Sequence, residues 1–196
     1  MHSMLALAQD FRPIADTGGG WDADPWLLGV PNGVVDLRTG ELRPGRREDR
    51  ITMQTAVPYD PEATCPRWKQ FLVEIFADDE ELIGFVQRAV GYSITGITSE
   101  QCLLVLYGTG ANGKGTLTIT LKFVLGDYAW NMRFSTIEMR NRAAIPNDLA
   151  ALVGRRFVMA SETNDGARLN EARVKALTGC DPITARFLHA EFFTFA

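Results

Sequence analysis

The chain has 196 residues, a formal net charge of −4, 46% apolar residues and 22% charged ones, which is the balance of a folded chain with room for one ordinary domain or a small domain and part of a second. That charge excludes a globally basic nucleic-acid-binding domain, although a local basic surface remains compatible with it. Three distant cysteines (Cys65, Cys102, Cys180) and two histidines (His2, His189) argue against a zinc site and supply no disulfide framework.

No apolar run reaches the roughly 20 residues of a membrane span, and Met1 to Gln9 lacks the basic flank of a signal peptide. The expected setting is a reducing cytoplasm. Residues 1–20 read as a linker or the end of a preceding region, with a short helix over Met4 to Phe11 and a flexible joint at Gly18-Gly19-Gly20. Residues 21–98 read as a small α+β, mainly helical, domain. Its β-prone pieces, Trp26 to Val30, Gly33 to Leu37 and Glu41 to Arg43, are separated by Pro31-Asn32-Gly33 and Arg38-Thr39-Gly40, the punctuation of a meander. The arginine-rich stretch Arg43 to Arg50 is expected to be a solvated loop. Pro66 suits a first helical turn, and Trp68, Phe71, Leu72, Ile75 and Phe76 follow at helical spacing. A second helix begins after Asp78 or Asp79 and ends at Gly96, so the apolar faces of the two helices are expected to form a helical core.

Residues 99–196 change rhythm, with strands alternating with helices as in an α/β sheet. Cys102 to Tyr107 is an uninterrupted apolar run, expected to be a strand buried on both faces. Helices are expected over Lys114 to Leu125, Asp148 to Val153 and Asn170 to Thr178, a second buried strand over Phe157 to Ala160, and a hairpin from Pro182 to Phe195 turning near His189-Ala190.

Between the first run and its helix lies Gly108-Thr109-Gly110-Ala111-Asn112-Gly113-Lys114-Gly115-Thr116, a complete GxxxxGK pattern. Glycines let successive backbone N–H groups turn inward on phosphate oxygens, the helix N-terminus adds partial positive charge, and a lysine reaches the β- and γ-phosphates. The arginine-rich chain keeps only Lys69, Lys114, Lys122 and Lys175 as lysines, and Lys114 stands where a compact ammonium is needed. The pattern departs at Gly115, where a Mg²⁺-binding Ser or Thr is usual; Thr116, one residue later, or a water-held ion takes that part. The strand ending in Ser161-Glu162 supplies a carboxylate beside such a loop. Glu162 is the candidate for polarising the attacking water and, with Thr116, for holding Mg²⁺. Lys114 and Glu162 are thus the candidate catalytic residues.

With these motifs in order the sequence resembles the superfamily 3 helicase module of phage and plasmid primase–helicases, the group that includes the poxvirus primase–helicase. The resemblance runs from about residue 21 to the end. It is carried by Leu28-Gly-Val-Pro-Asn-Gly33-Val-Val-Asp36-Leu37, Thr39-Gly40-Glu41-Leu42, Tyr59-Asp60-Pro61, Cys65-Pro66-Arg67-Trp68, Leu82 to Thr95, the glycine-rich loop, Asp148-Leu-Ala, Ser161-Glu162, Leu169-Asn-Glu and Lys175-Ala-Leu-Thr-Gly179-Cys-Asp181-Pro-Ile-Thr-Ala-Arg186. It implies an AAA+-like P-loop ATPase core, here truncated before its sensor strand and arginine finger, that works with ATP and Mg²⁺. It further implies a hexameric ring on single-stranded or forked DNA, with a primase domain in the same polypeptide, in the cytoplasm of a bacterial cell during phage or plasmid replication. Lys175, Asp181 and Arg186 are the DNA-contact candidates that the resemblance supplies. Two other readings stand beside it: a nucleotide-binding assembly fragment without turnover, and a P-loop small-molecule kinase.

Overall fold

The computed structural model describes residues 4, 7–8, 11, 19–139, 147–161 and 168–195. Half of the helix expected over Met4 to Phe11 lies outside them; Met4, Leu7 and Ala8 are helical. The expected meander is present. Strands β1 (Leu27–Val30), β2 (Gly33–Asp36) and β3 (Glu41–Arg43) form an antiparallel sheet in that order. The first turn pairs Val30 with Gly33 across Pro31-Asn32. The second closes through Asp36, whose carbonyl accepts from Thr39 N and Gly40 N at 3.2 and 2.7 Å and whose carboxylate accepts from Arg38 N at 2.9 Å. Gly40, at φ +75, takes the left-handed conformation there. In the arginine-rich stretch, the Asp49 carboxylate takes both ends of the Arg43 guanidinium at 2.7 and 2.8 Å and Arg46 N at 2.7 Å.

Helices α1 (Pro66–Ile75) and α2 (Glu80–Ile94) follow within a residue or two of the expected bounds. The Asp79 side chain accepts from Leu82 N at 2.9 Å, and Glu80 and Glu81 occupy the first turn, where the helix dipole favours acids. The expected helical core is not found. Neither helix has a buried residue, and Leu82 and Phe85 stay largely exposed. A pair of helices buries only the stripe where they touch, and the described residues lay no further layer across them. The core lies instead beneath the sheet: Leu28, Val30, Val35, Leu125, Tyr128 and Ala129 are buried together, with Leu37, Met53, Tyr59, Ile94 and Phe157 packed around them. It draws on both of the stretches that the sequence assigns to separate domains.

Helix α3 (Lys114–Leu125) contributes Leu117 and Leu125 to the interior. A turn follows at Gly126, where an added Cβ would sit 2.6 Å from Ala56 N, so only glycine lets residues 54–56 cross so closely. Strand β4 (Ala129–Asn131) then pairs in parallel with β5 (Phe157–Met159), matching Ala129 to Phe157 and Asn131 to Met159. Both strands pack against α3. The sequence does not announce β4, and β5 is half-buried where full burial is expected. Helix α4 (Asn147–Ala150) covers the start of the helix expected over Asp148 to Val153. Helix α5 (Glu171–Thr178) is capped by the Asn170 side chain, which accepts from Arg173 N at 3.0 Å. The expected hairpin is β6 (Ile183–Ala185) with β7 (Phe193–Phe195).

The largest difference concerns Cys102 to Tyr107. The run belongs to no strand, and Leu103, Leu104, Val105, Leu106 and Tyr107 are 46–89% exposed. An all-apolar strand is buried only when neighbours pair with its edges and helices cover its faces. Among the described residues β4 and β5 pair with each other and leave the run without either. Among the described residues the fold is therefore mixed α/β with three small sheets, and no single sheet joins the run Cys102 to Tyr107 to β5.

Candidate nucleotide-binding loop

The loop turns because its residues alternate in handedness. Gly108 lies at φ +148, Ala111 at +59 and Gly113 at +85, an arrangement that directs successive amides to one side. The amides of Gly110 to Gly113 make no hydrogen bond among the described residues, so they are free to donate to an anion. Gly110 to Thr116 line an open concavity of about 440 Å³. Gly113 is the N-cap of α3, and its carbonyl accepts from Leu117 N at 2.9 Å.

The loop is supported from behind by α1. A Cβ on Gly113 would lie 3.2 Å from Ile75 Cβ and 3.4 Å from Phe71 Cε2, with the Ile75 Cγ2 methyl closer still. The positive φ and the packing each require glycine here. By contrast, a Cβ on Gly115 would meet nothing within 4 Å. The missing hydroxyl at that position therefore does not follow from crowding. Thr116 is exposed at the start of α3.

Lys114 is folded back over its own loop. Its Nζ donates to Asn112 Oδ1 at 2.7 Å and to the Gly108 carbonyl at 3.1 Å. Lys114 thus lies with the remaining loop residues, as the motif requires. On the other side β5 leads to Ser161, which is exposed. Glu162 lies outside the described residues. Of the DNA-contact candidates, Lys175 on α5, Asp181 and Arg186 are all exposed. The Arg186 guanidinium sits 4.7 Å over the Phe192 ring at the end of the β6–β7 hairpin, and Phe187, Leu188 and Phe192 project into solvent around it. Among the described residues no cluster of His, Cys, Asp and Glu forms a metal site, and no helix is long and apolar enough to cross a membrane.

Two features of the surroundings escape a reading of the sequence. Phe71 and Ile75 read as ordinary helix-face residues, and nothing local marks them as the support of a loop some 40 positions later. Arg156 ties β5 to the meander: its guanidinium donates to the carbonyls of Leu27 at 2.8 Å, Ile94 at 3.0 Å and Asp24 at 3.3 Å, and lies 4.7 Å over the Tyr128 ring. Burial pulls its pKa down, opposed by Tyr128, Asp22 and Asp24, and burial pushes the Tyr128 hydroxyl up. Position within "Gly154-Arg155-Arg156" is the only sequence signal for this tie.

Comparison with known proteins places this geometry in context. Residues 2–77 match the family described as D5 N terminal like. A protein of Acanthamoeba polyphaga mimivirus named as a helicase is 31% identical over 176 residues, covering 87% of this chain and 18% of its own length. A protein of African swine fever virus named as a primase is also 31% identical, covering 86% of this chain and 18% of its own. A protein of Invertebrate iridescent virus 6 named as a helicase is 26% identical over 185 residues, with coverage of 90% and 19%. Matches of that extent necessarily take in Gly108 to Thr116 as well as most of the D5-like region. The chain spans about a fifth of the length of these relatives. Residues 2–77 thus carry a D5 N-terminal-like match, in a chain most of which is similar to viral proteins named as helicases and primases.

Proposed function

We propose that this chain is part of a DNA-helicase module of a replication primase–helicase, and that it binds ATP at Gly108 to Thr116. The observation that carries the reading is a glycine-rich loop of alternating handedness opening α3, with Lys114 on it, in a chain akin to proteins named as helicases and primases. The unpaired amides donate to the phosphate oxygens, and the Lys114 ammonium neutralises charge between the β- and γ-phosphates. A magnesium ion carried in with the nucleotide would spread the charge that develops on transfer. Thr116 and Glu162 are the residues that would hold it. The exposed hydroxyl of Thr116 suits a hard cation, and Gly115 offers no ligand. Glu162 polarises the attacking water, and hydrolysis is completed by groups contributed around a hexameric ring.

The DNA side of the proposal rests on the hairpin. Arg186 and Lys175 supply positive charge on a chain that is acidic overall, with Asp181 between them in the sequence. Contacts of this kind are weak singly, multiplied by a ring, and released by salt.

The test is nucleotide binding measured by calorimetry on the purified chain. Lys114→Ala removes charge-assisted contacts of about 1.5–3 kcal/mol, an expected loss of roughly ten- to a hundredfold in ADP affinity. Glu162→Gln should retain affinity and lose turnover, since the carboxylate acts in the transition state. Unchanged ADP affinity in the Lys114 variant would overturn the site.

A further inference from the structure

We propose that Asn112 is a positioning residue for Lys114: its side-chain oxygen clasps the ammonium against the loop, and bound polyphosphate must displace it. The inference rests on the nucleotide reading of the loop and adds to it how the lysine is stored and released. An ammonium carries three donors, and here two are spent inside the loop, on Asn112 Oδ1 at 2.7 Å and on the Gly108 carbonyl at 3.1 Å. The Asn112 bond is short for a nitrogen donor, in the range of charge-assisted contacts.

The clasp is built by three residues together. The Asn112 amide lies directly over Gly108, where a Cβ would come 3.5 Å from Asn112 Cγ and overlap the amide nitrogen. Gly108 thus supplies both the space for the Asn112 side chain and the second acceptor. Both acceptors are neutral. A neutral oxygen holds the ammonium in place without cancelling its charge, so phosphate, with formal negative charge, outcompetes it. A carboxylate in the same place would form an ion pair that phosphate displaces with difficulty. Asparagine is the side chain that permits storage and release together.

Two substitutions separate this role from that of a simple loop or phosphate ligand. Asn112→Ala removes the clasp; Asn112→Ser, too short to reach Lys114, does the same while keeping a polar group. Asn112→Asp strengthens it. The first readout needs no nucleotide: the rate at which an amine-reactive ester labels Lys114 in the intact chain, followed by peptide mass spectrometry with Lys69, Lys122 and Lys175 as internal references, after circular dichroism has confirmed folding. We expect labelling of Lys114 to rise roughly two- to tenfold in the Ala and Ser variants, the range for loss of one hydrogen bond in competition with water, and to fall in the Asp variant. The second readout is ADP binding by calorimetry. Affinity is expected to tighten in the Ala and Ser variants, because the acceptor that competes with phosphate is gone, and to drop about tenfold or more in the Asp variant. Unchanged labelling in the Ala and Ser variants, or ADP affinity that falls in them, overturns the clasp and makes Asn112 a phosphate ligand or a loop-shaping residue. Failure of the unaltered chain to bind ADP at all would overturn the nucleotide reading and, with it, the release step, whereas the labelling rates would still decide whether Asn112 holds Lys114.

Discussion

Replacing Tyr128 with Phe deletes one oxygen from the centre of the core, and the cost can be worked out from what that oxygen touches. Tyr128 is 1% exposed. Its hydroxyl accepts from Gly29 N at 2.8 Å and donates to the Met53 carbonyl at 3.0 Å. Gly29 turns its backbone groups away from β2, since its carbonyl accepts from Thr55 N at 3.0 Å, so the hydroxyl bridges the outer edge of β1 to residues 53–55. The chain is closely packed here, since a Cβ on Gly29 would lie 2.8 Å from Ile51 Cγ2 and 3.2 Å from the hydroxyl itself. Phenylalanine fills the same volume and leaves a buried donor and a buried acceptor without partners. Losing one partner of a buried hydrogen bond costs about 1–3 kcal/mol, with the donor the dearer of the two. We expect Tyr128→Phe to lower stability by about 2–3 kcal/mol. For a chain of this size that is a fall in the melting temperature of roughly 5–10 °C, and a urea midpoint that moves without a change in slope. A melting temperature within about 1 °C of the parent would refute the reasoning, because it would mean that water reaches Gly29 and Met53 or that the bridge contributes nothing net.

Other expectations follow from the same contacts. Gly115→Ser should be accepted, since a Cβ there meets nothing within 4 Å; it should stabilise α3 by a few tenths of a kcal/mol and, by restoring a hydroxyl, increase the Mg²⁺ dependence of nucleotide affinity in calorimetric titrations. Asp49, hydrogen-bonded by Arg43 and by Arg46 N, has its carboxyl lowered from 3.8 to about 2; because the folded value is the depressed one, its contribution is present above pH 3.8 and is lost as pH falls towards 2, and Asp49→Asn should flatten acid-unfolding curves across that window. Val105→Lys, placed in the exposed apolar run, should raise solubility without lowering the melting temperature, as measured by light scattering and calorimetry; a large destabilisation would show that the run is packed in solution.

What the sequence made legible is what is local. Pro31-Asn32-Gly33 and Thr39-Gly40 announced the meander because turn chemistry is written in the turn residues themselves. Asp78 or Asp79 marked the start of α2 because a cap acts on its own first turn. The shape of the glycine-rich loop was readable for the same reason: its glycines and its lysine lie within nine consecutive positions. The run Cys102 to Tyr107 was not, because its composition states a need for burial while burial itself depends on partners elsewhere in the chain. Strand β4, only Ala129–Asn131, is too short to display a period. The bridge from Tyr128 to Gly29 spans 99 positions, and nothing near either residue signals the other.

The seat of Gly113 against Ile75 has a consequence for how such chains can vary. Ile75 falls within the segment that matches the D5-like family and Gly113 falls outside it, yet the two share one small volume. Because the positive φ already holds the second position to glycine, the size of the first is what can vary, and a side chain longer than isoleucine there would press on the loop backbone. Replacing residues 2–77 of this chain with the corresponding segment of a relative should therefore succeed or fail on the residue at position 75: a side chain no larger than isoleucine preserves the loop's shape, and a larger one distorts it even where every residue of the loop itself is unchanged.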